Sequence, residues 1–247
     1  MQCTTIDEVI VRLNQIVDEC KTQQDALGYF AVLYRKVTLR VKQGIFNNEF
    51  ENGGRMERLD VVFANRYFDA FDAYRLKQPC SQSWQTAFDA VNESGHVLLQ
   101  HLLLGINAHI NLDLGIAALN AVGNQPLLSI QNDFNAINAV LSELVDDVKT
   151  DIGDVSPVFK WLMPLAPKTE EMLINFSIQI ARDGAWKFAN ELDASGRNHS
   201  MIQERDSVIA LLGLAIRKPG TILQIINFVI ALFEWRTVAD KMKILEK

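Results

Sequence analysis

The stretch that decides the fold is "HLLLGINAHINLDLGIAALN", His101–Asn120, in which Asn107, His109, Asn111 and Asp113 alternate with apolar residues inside an otherwise greasy run. Alternation of that kind suggests a half-buried strand or a string of ligands. A helical wheel at about 100° per residue gives a different answer. Val97, Leu98, Leu102, Leu104, Ile110, Leu112 and Ile116 spread around the whole circumference. A helix apolar on every side belongs at the centre of its fold, so a helix is predicted over about 95–121, with its polar groups buried alongside it.

On that wheel His101, His109 and Asp113 share one arc of roughly 120° with Gly105, and Asn107 and Asn111 lie on the other side. His109 and Asp113 stand four residues apart, a spacing at which a carboxylate can orient an imidazole or both can ligate one metal. Each buried polar group left unpaired costs on the order of 1–3 kcal/mol. The four side chains therefore need partners, and two uses stay open: a chemical site, or a hydrogen-bond network that sets helix register. Asn107 and Asn111 are expected to bind neighbouring helices.

Outward from this helix, apolar residues recur at helical spacing and no strict alternation is bounded by turn residues. The expectation is an all-α, single compact multi-helix domain over 1–247. Helices are predicted at about 5–20, 24–43, 55–76, 82–92, 95–121, 129–152, 168–194, 200–217 and 220–246. "NNEFENGGR", Asn47–Arg55, reads as a turn that combines turn-forming asparagines with Gly53 and Gly54, which tolerate positive φ. Pro126 ends the central element, and Pro157, Pro164 and Pro167 mark a connector. Thr169 with Glu170 and Glu171 reads as a helix start.

With 247 residues and 49% hydrophobic content, the chain can bury a sizeable core. Its formal charge of -6 comes from 24 basic and 30 acidic residues mixed along the chain, so no nucleic acid is expected as a partner. Cys3, Cys20 and Cys80 form no CxxC pair and suit free thiols in a reducing compartment. The start, "MQCTTIDEVIVRLNQIVDEC", has acids where a signal peptide has bases, and a cytoplasmic location is expected. "VIALLGLAIRKPGTILQIINFVIALFEW", Val208–Trp235, is divided by Arg217–Gly220 into pieces shorter than the roughly 18 to 20 residues that cross a bilayer. Buried core helices, and no transmembrane segment, are expected there.

The common catalytic signatures are missing: the sequence has no GxSxG, no GxxxxGK[ST] and no GxGxxG after a strand. A di-iron bundle needs two ExxH pairs, and only "ESGH", Glu93–His96, matches. Four histidines, His96, His101, His109 and His199, are too few for a multi-metal phosphoesterase. One divalent metal ion held by His109, Asp113 and an acid from another helix stays open, with Asp60 the first candidate. Asp60 precedes Val61, Val62 and Phe63 on what reads as a core-facing helix, whereas Asp69 and Asp72 read as solvent-facing. Further along, Arg182, Asp183, Trp186 and Asn190 gather on one side of a helix. The indole of Trp186 can stack beneath Arg182, which would suit a face lining a cleft. "YRKVTLRVK", Tyr34–Lys42, is the most basic helix, an ordinary solvated face.

"GINAHINLDL" resembles the signature of an uncharacterised bacterial domain-of-unknown-function family of helical proteins whose members carry a segment like NAHINxDL. "YRKVTLRV" around Tyr34 and Thr38, "RLDVVFANRYFDAFDA" around Asp60 and Tyr67, "FNAINAVL" around Asn138, and "ARDGAWKFANEL" around Arg182, Asp183 and Trp186 are similar to its other blocks, in the same order. The resemblance covers about residues 25 to 195 and departs from the family at the apolar end from Pro219 onward and at Gly184 and Phe188. It implies a helical fold and a set of candidate residues, and no reaction.

Two functions are carried forward. In the first, His109 and Asp113 lead a buried site that hydrolyses a small, anionic or lipid-like substrate with metal or acid/base assistance. Arg182 is its anion clamp, Asp183 joins the catalytic set, and Asp60, Tyr67, Asn107, Asn111, Asn138 and Trp186 line the ligand. In the second, the same residues are a structural network inside a ligand-binding or interaction domain.

Overall fold

The computed structural model describes residues 2–156 and 178–247. Among these there are eleven α-helices and no strand: α1 Ile6–Gln23, α2 Gly28–Phe46, α3 Gly53–Arg75, α4 Gln82–Asp89, α5 Leu98–Ala108, α6 Leu114–Val122, α7 Gln131–Val155, α8 Ile178–Ala194, α9 His199–Arg217, α10 Thr221–Phe233 and α11 Val238–Leu245. The all-α fold with a buried central helix is as expected.

Helix starts follow the sequence. Thr5 accepts the main-chain N–H of Glu8 at 3.2 Å, Asn52 that of Arg55 at 2.9 Å and Thr237 that of Asp240 at 3.1 Å, so one orphan amide at each start is satisfied. Three starts use a buried carboxylate from far along the chain, α3 in addition to its Asn52 cap. Asp133 accepts Glu51 N–H at 2.7 Å and the Arg55 side chain before α3. Asp206 accepts Gln82 and Ser83 N–H at 2.7 and 2.9 Å on α4. Glu234 accepts Leu98 N–H at 3.1 Å on α5 and Lys241 Nζ at 2.7 Å. A carboxylate there meets the positive end of the helix dipole.

The central stretch is not one regular helix. Between α5 and α6, His109–Asp113 form a π turn in which Leu114 N–H donates to His109 O, five residues back. Such a turn inserts an extra residue and recurs at functional sites. It lies where the helix passes between two buried clusters. The first, with Leu13, Phe30, Tyr67, Phe71 and Trp84, takes up α5. The second, with Met56, Leu59, Phe134 and Phe188, takes up α6. Phe63 and Ile106 pack against both. Helix α6 lies on α3 and α8, and α5 on α2, α4 and α9. At Gly115 a Cβ would stand 2.6 Å from Ala185 O, so glycine lets α6 and α8 approach closely.

Several expectations need correction. Gly53 and Gly54 sit in the first turn of α3, and positive φ in that loop falls on Asn48, at 57°. The helix expected over 220–246 breaks after Phe233, because Thr237 caps a new helix and Asp240 returns the contact, accepting its hydroxyl at 2.7 Å. The apolar run Val208–Trp235 is only half buried: Ile209, Ile216 and Ile230 face the core, while Val208, Leu211, Ile225, Phe228, Leu232 and Trp235 are exposed. Such a run has apolar residues on every side, and neighbours cover only one. Leu98–Val122 is the one span among the described residues that is long and apolar enough to cross a membrane, and 94% of its apolar window is buried inside the fold. The expected connector around Pro157, Pro164 and Pro167 and the helix start at Thr169 lie outside the described residues.

Candidate functional site

Helix α3 places Asp60, Phe63 and Tyr67 on one face, at i, i+3 and i+7, toward the π turn. His109 is 2% exposed and lies flat on Phe63, with ring centroids 3.5 Å apart and planes 6° apart. Tyr34 meets it edge-on at 4.6 Å, Phe30 at 5.6 Å and Trp84 tilted at 5.8 Å. The Phe30 ring fits because residue 105 is glycine; a Cβ there would fall 2.4 Å from it.

Asp113 holds both carboxylate oxygens in use. Oδ1 accepts Arg66 Nε–H at 2.7 Å, Oδ2 accepts Trp84 Nε1–H at 2.7 Å, and His109 Nδ1 stands 3.4 Å from Oδ2. Burial pushes the carboxyl up, but the Arg66 guanidinium and the contacts with His109 and Trp84 outweigh it and hold Asp113 below the usual carboxylate value. Burial pulls His109 below the usual imidazole value, against the opposing pull of Asp113. The ring is therefore neutral near pH 7. Since Nδ1 faces only an acceptor, Nδ1 carries the proton and Nε2 the lone pair.

That Nε2 has no hydrogen-bond partner, nor have the hydroxyls of Tyr34 and Tyr67 or Oδ2 of Asp60, all of them buried. Burial, with Glu57 nearby, pushes Asp60 up to about 8, so it keeps its proton at neutral pH. Burial, with the charges of Asp60 and Asp113, pushes Tyr34 well above the usual phenol value. A lone-pair base in the π turn and a protonated acid on α3 are thus both buried.

The asparagines bond away from His109, Asn107 to a neighbouring helix as expected and Asn111 to Asn107. Asn107 donates to Ile209 O at 2.9 Å, Asn111 donates to Asn107 Oδ1 at 3.0 Å, and Arg205 donates to Asn111 O at 3.0 Å, which ties α9 to the central helix. Arg182 is buried beside Phe134, donating to its main-chain carbonyl and lying over its ring at 4.7 Å. Trp186 meets the same ring at 4.8 Å, so Phe134 takes the stacking position expected of Trp186 against Arg182. Asp183 is exposed, and the side chain of Asn138 lies outside the described residues. Of the candidates, the structure brings together His109, Asp113 and Tyr67, with Asp60 one turn before Phe63 on the same face of α3, and it places Arg182 and Trp186 against Phe134.

Among the described residues no group of three or more His, Cys, Asp or Glu side chains is gathered to hold a metal. The donor set explains why: the oxygens of Asp113 already accept three N–H groups. Arg66 and Trp84 were missed from sequence. The one available signal was that a buried indole N–H needs an acceptor.

A model of a family of unknown function, DUF5995, matches residues 6–219, a wider span than the sequence resemblance covered. Nothing among curated proteins or solved structures matches the chain.

Proposed function

The chain belongs to this family of unknown function, and from that premise we propose that its π turn carries an acid/base site for hydrolysis of a small molecule. His109 Nε2 is the base that takes the proton of the attacking water. Asp113 holds the Nδ1–H tautomer. Asp60 returns a proton to the leaving oxygen, and Tyr34 and Tyr67 supply hydrogen bonds to the substrate. What carries this proposal is the buried Nε2 of His109, which has no partner while its other nitrogen is held by a carboxylate. Buried polar groups are nearly always satisfied, and an exception asks for an explanation.

A purely structural network is the second possibility, and one observation favours it: Asp113 is complete without any ligand, with Arg66, Trp84 and His109 on its two oxygens.

The test pairs turnover with stability. A panel of small neutral esters and amides is offered to the wild type and to His109→Gln, with folding followed by circular dichroism. Hydrolysis by the wild type that falls at least 100-fold in a folded variant supports the site. A wild type inert to the whole panel, with a variant destabilised by several kcal/mol, leaves the network. Elemental analysis of the purified protein is expected to find no stoichiometric divalent metal.

A further inference from the structure

The charges around His109 are closed among themselves. Arg66 is held by Asp113 at 2.7 Å, and Asp113 has three donors on two oxygens. No cation among the described residues pairs with Asp60, consistent with a carboxyl that keeps its proton. Arg182 lies against Phe134. Among the described residues an anion entering here would meet no uncommitted cation, a cation only the Asp60 carboxyl, which keeps its proton, and a metal no group of three ligands. Moving an uncompensated charge into such surroundings costs several kcal/mol.

The hydrogen-bonding atoms left open are neutral: the two tyrosine hydroxyls, Asp60 Oδ2 and His109 Nε2. The lone pair of Nε2 calls for a donor, and the tyrosines can donate to an oxygen. Around His109 stand the rings of Phe30, Phe63 and Trp84, so any part of a ligand that meets them has to be apolar.

Resting on the reading of His109 as a site, we infer that its ligand is a compact uncharged molecule with a hydroxyl or carbonyl oxygen, the hydroxyl donating to His109 Nε2. Such a molecule satisfies the open atoms without stranding a charge, which neither a carboxylate nor an ammonium can do.

The experiment uses the full chain labelled with 15N and three probes of equal length: n-butanol, n-butyrate and n-butylammonium. The 15N resonance of His109 Nε2 is followed as each is added at millimolar concentration, with His199 as the reference for non-specific effects. Butanol is expected to move Nε2 saturably while the two ions leave it in place, and Tyr34→Phe and Tyr67→Phe to weaken that binding several-fold with the fold intact. If butyrate or butylammonium moves Nε2 more strongly than butanol, the site stands and the uncharged class is overturned. If no probe moves Nε2, or His199 moves equally, both the class and the site fall.

Discussion

The indole N–H of Trp84 donates to Oδ2 of Asp113 at 2.7 Å, the same oxygen that faces His109 Nδ1 at 3.4 Å. One carboxylate thus couples the N-terminal turn of α4 to the π turn. Trp84→Phe keeps an aromatic body and removes the donor. A hydrogen bond to a charged group contributes about 1.5–3 kcal/mol, and urea denaturation of the variant is expected to show a loss of that size.

The acid limb of stability carries the histidines. Burial pulls His101 down to about 3 and also lowers His109. In the unfolded chain both take a proton below about 6.5, so the unfolded state binds more protons there and stability falls as the pH drops. Urea midpoints measured between pH 7 and pH 4 should decline, and less steeply in His101→Gln.

Asp60 acts with the opposite sign. Its folded value of about 8 exceeds the unfolded value of about 4. Its stabilising contribution is therefore complete below the unfolded value and is lost as the pH rises through the folded one. The loss across that window is on the order of a few kcal/mol. Asp60→Asn should remove this component, so that the variant gains stability relative to the wild type as the pH rises from 5 to 8, and a constant difference would remove Asp60 as the group responsible.

At Gly115 an added Cβ would meet Ala185 O at 2.6 Å, and a backbone oxygen cannot turn aside as a side chain can. Overpacking of this kind costs about 1–3 kcal/mol. Gly115→Ala should lower the thermal midpoint, whereas Gly54→Ala, whose Cβ would meet nothing nearer than the Asn52 side chain at 3.7 Å, should not.

Glu234 caps α5 and pairs with Lys241 at 2.7 Å, and both side chains are nearly buried. Breaking a buried pair by removing one charge costs about 3–5 kcal/mol. Glu234→Gln is expected to lose stability in that range, and a variant that melts with the wild type would show the pair to be dispensable.

Much of the fold was legible because helix signals are local. Apolar residues all around 97–116 demanded a buried helix, and Asn52 and Ser81 stand where helices start. The break before Val238 was missed, although Thr237 and Asp240 have the spacing of a capping pair. The π turn was not legible, because one inserted residue leaves no mark in composition. Part of the arrangement followed from spacing: His109 and Asp113 meet as residues four apart can, and Asn107 turns to another helix while Asn111 bonds to Asn107.

By itself the sequence determined that the chain is helical, that Leu98–Val122 lies at its centre and that His109 and Asp113 pair, since each depends on residues within a turn or two of one another. Only the tertiary structure decided who completes the pair. Arg66 and Trp84 reach Asp113 across 47 and 29 residues, and the atoms left open at His109, Tyr34, Tyr67 and Asp60 sit on the π turn, α2 and α3, elements far apart in the chain. Periodicity records which side of a helix is apolar. Which distant donor fills a lone pair depends on how the helices cross.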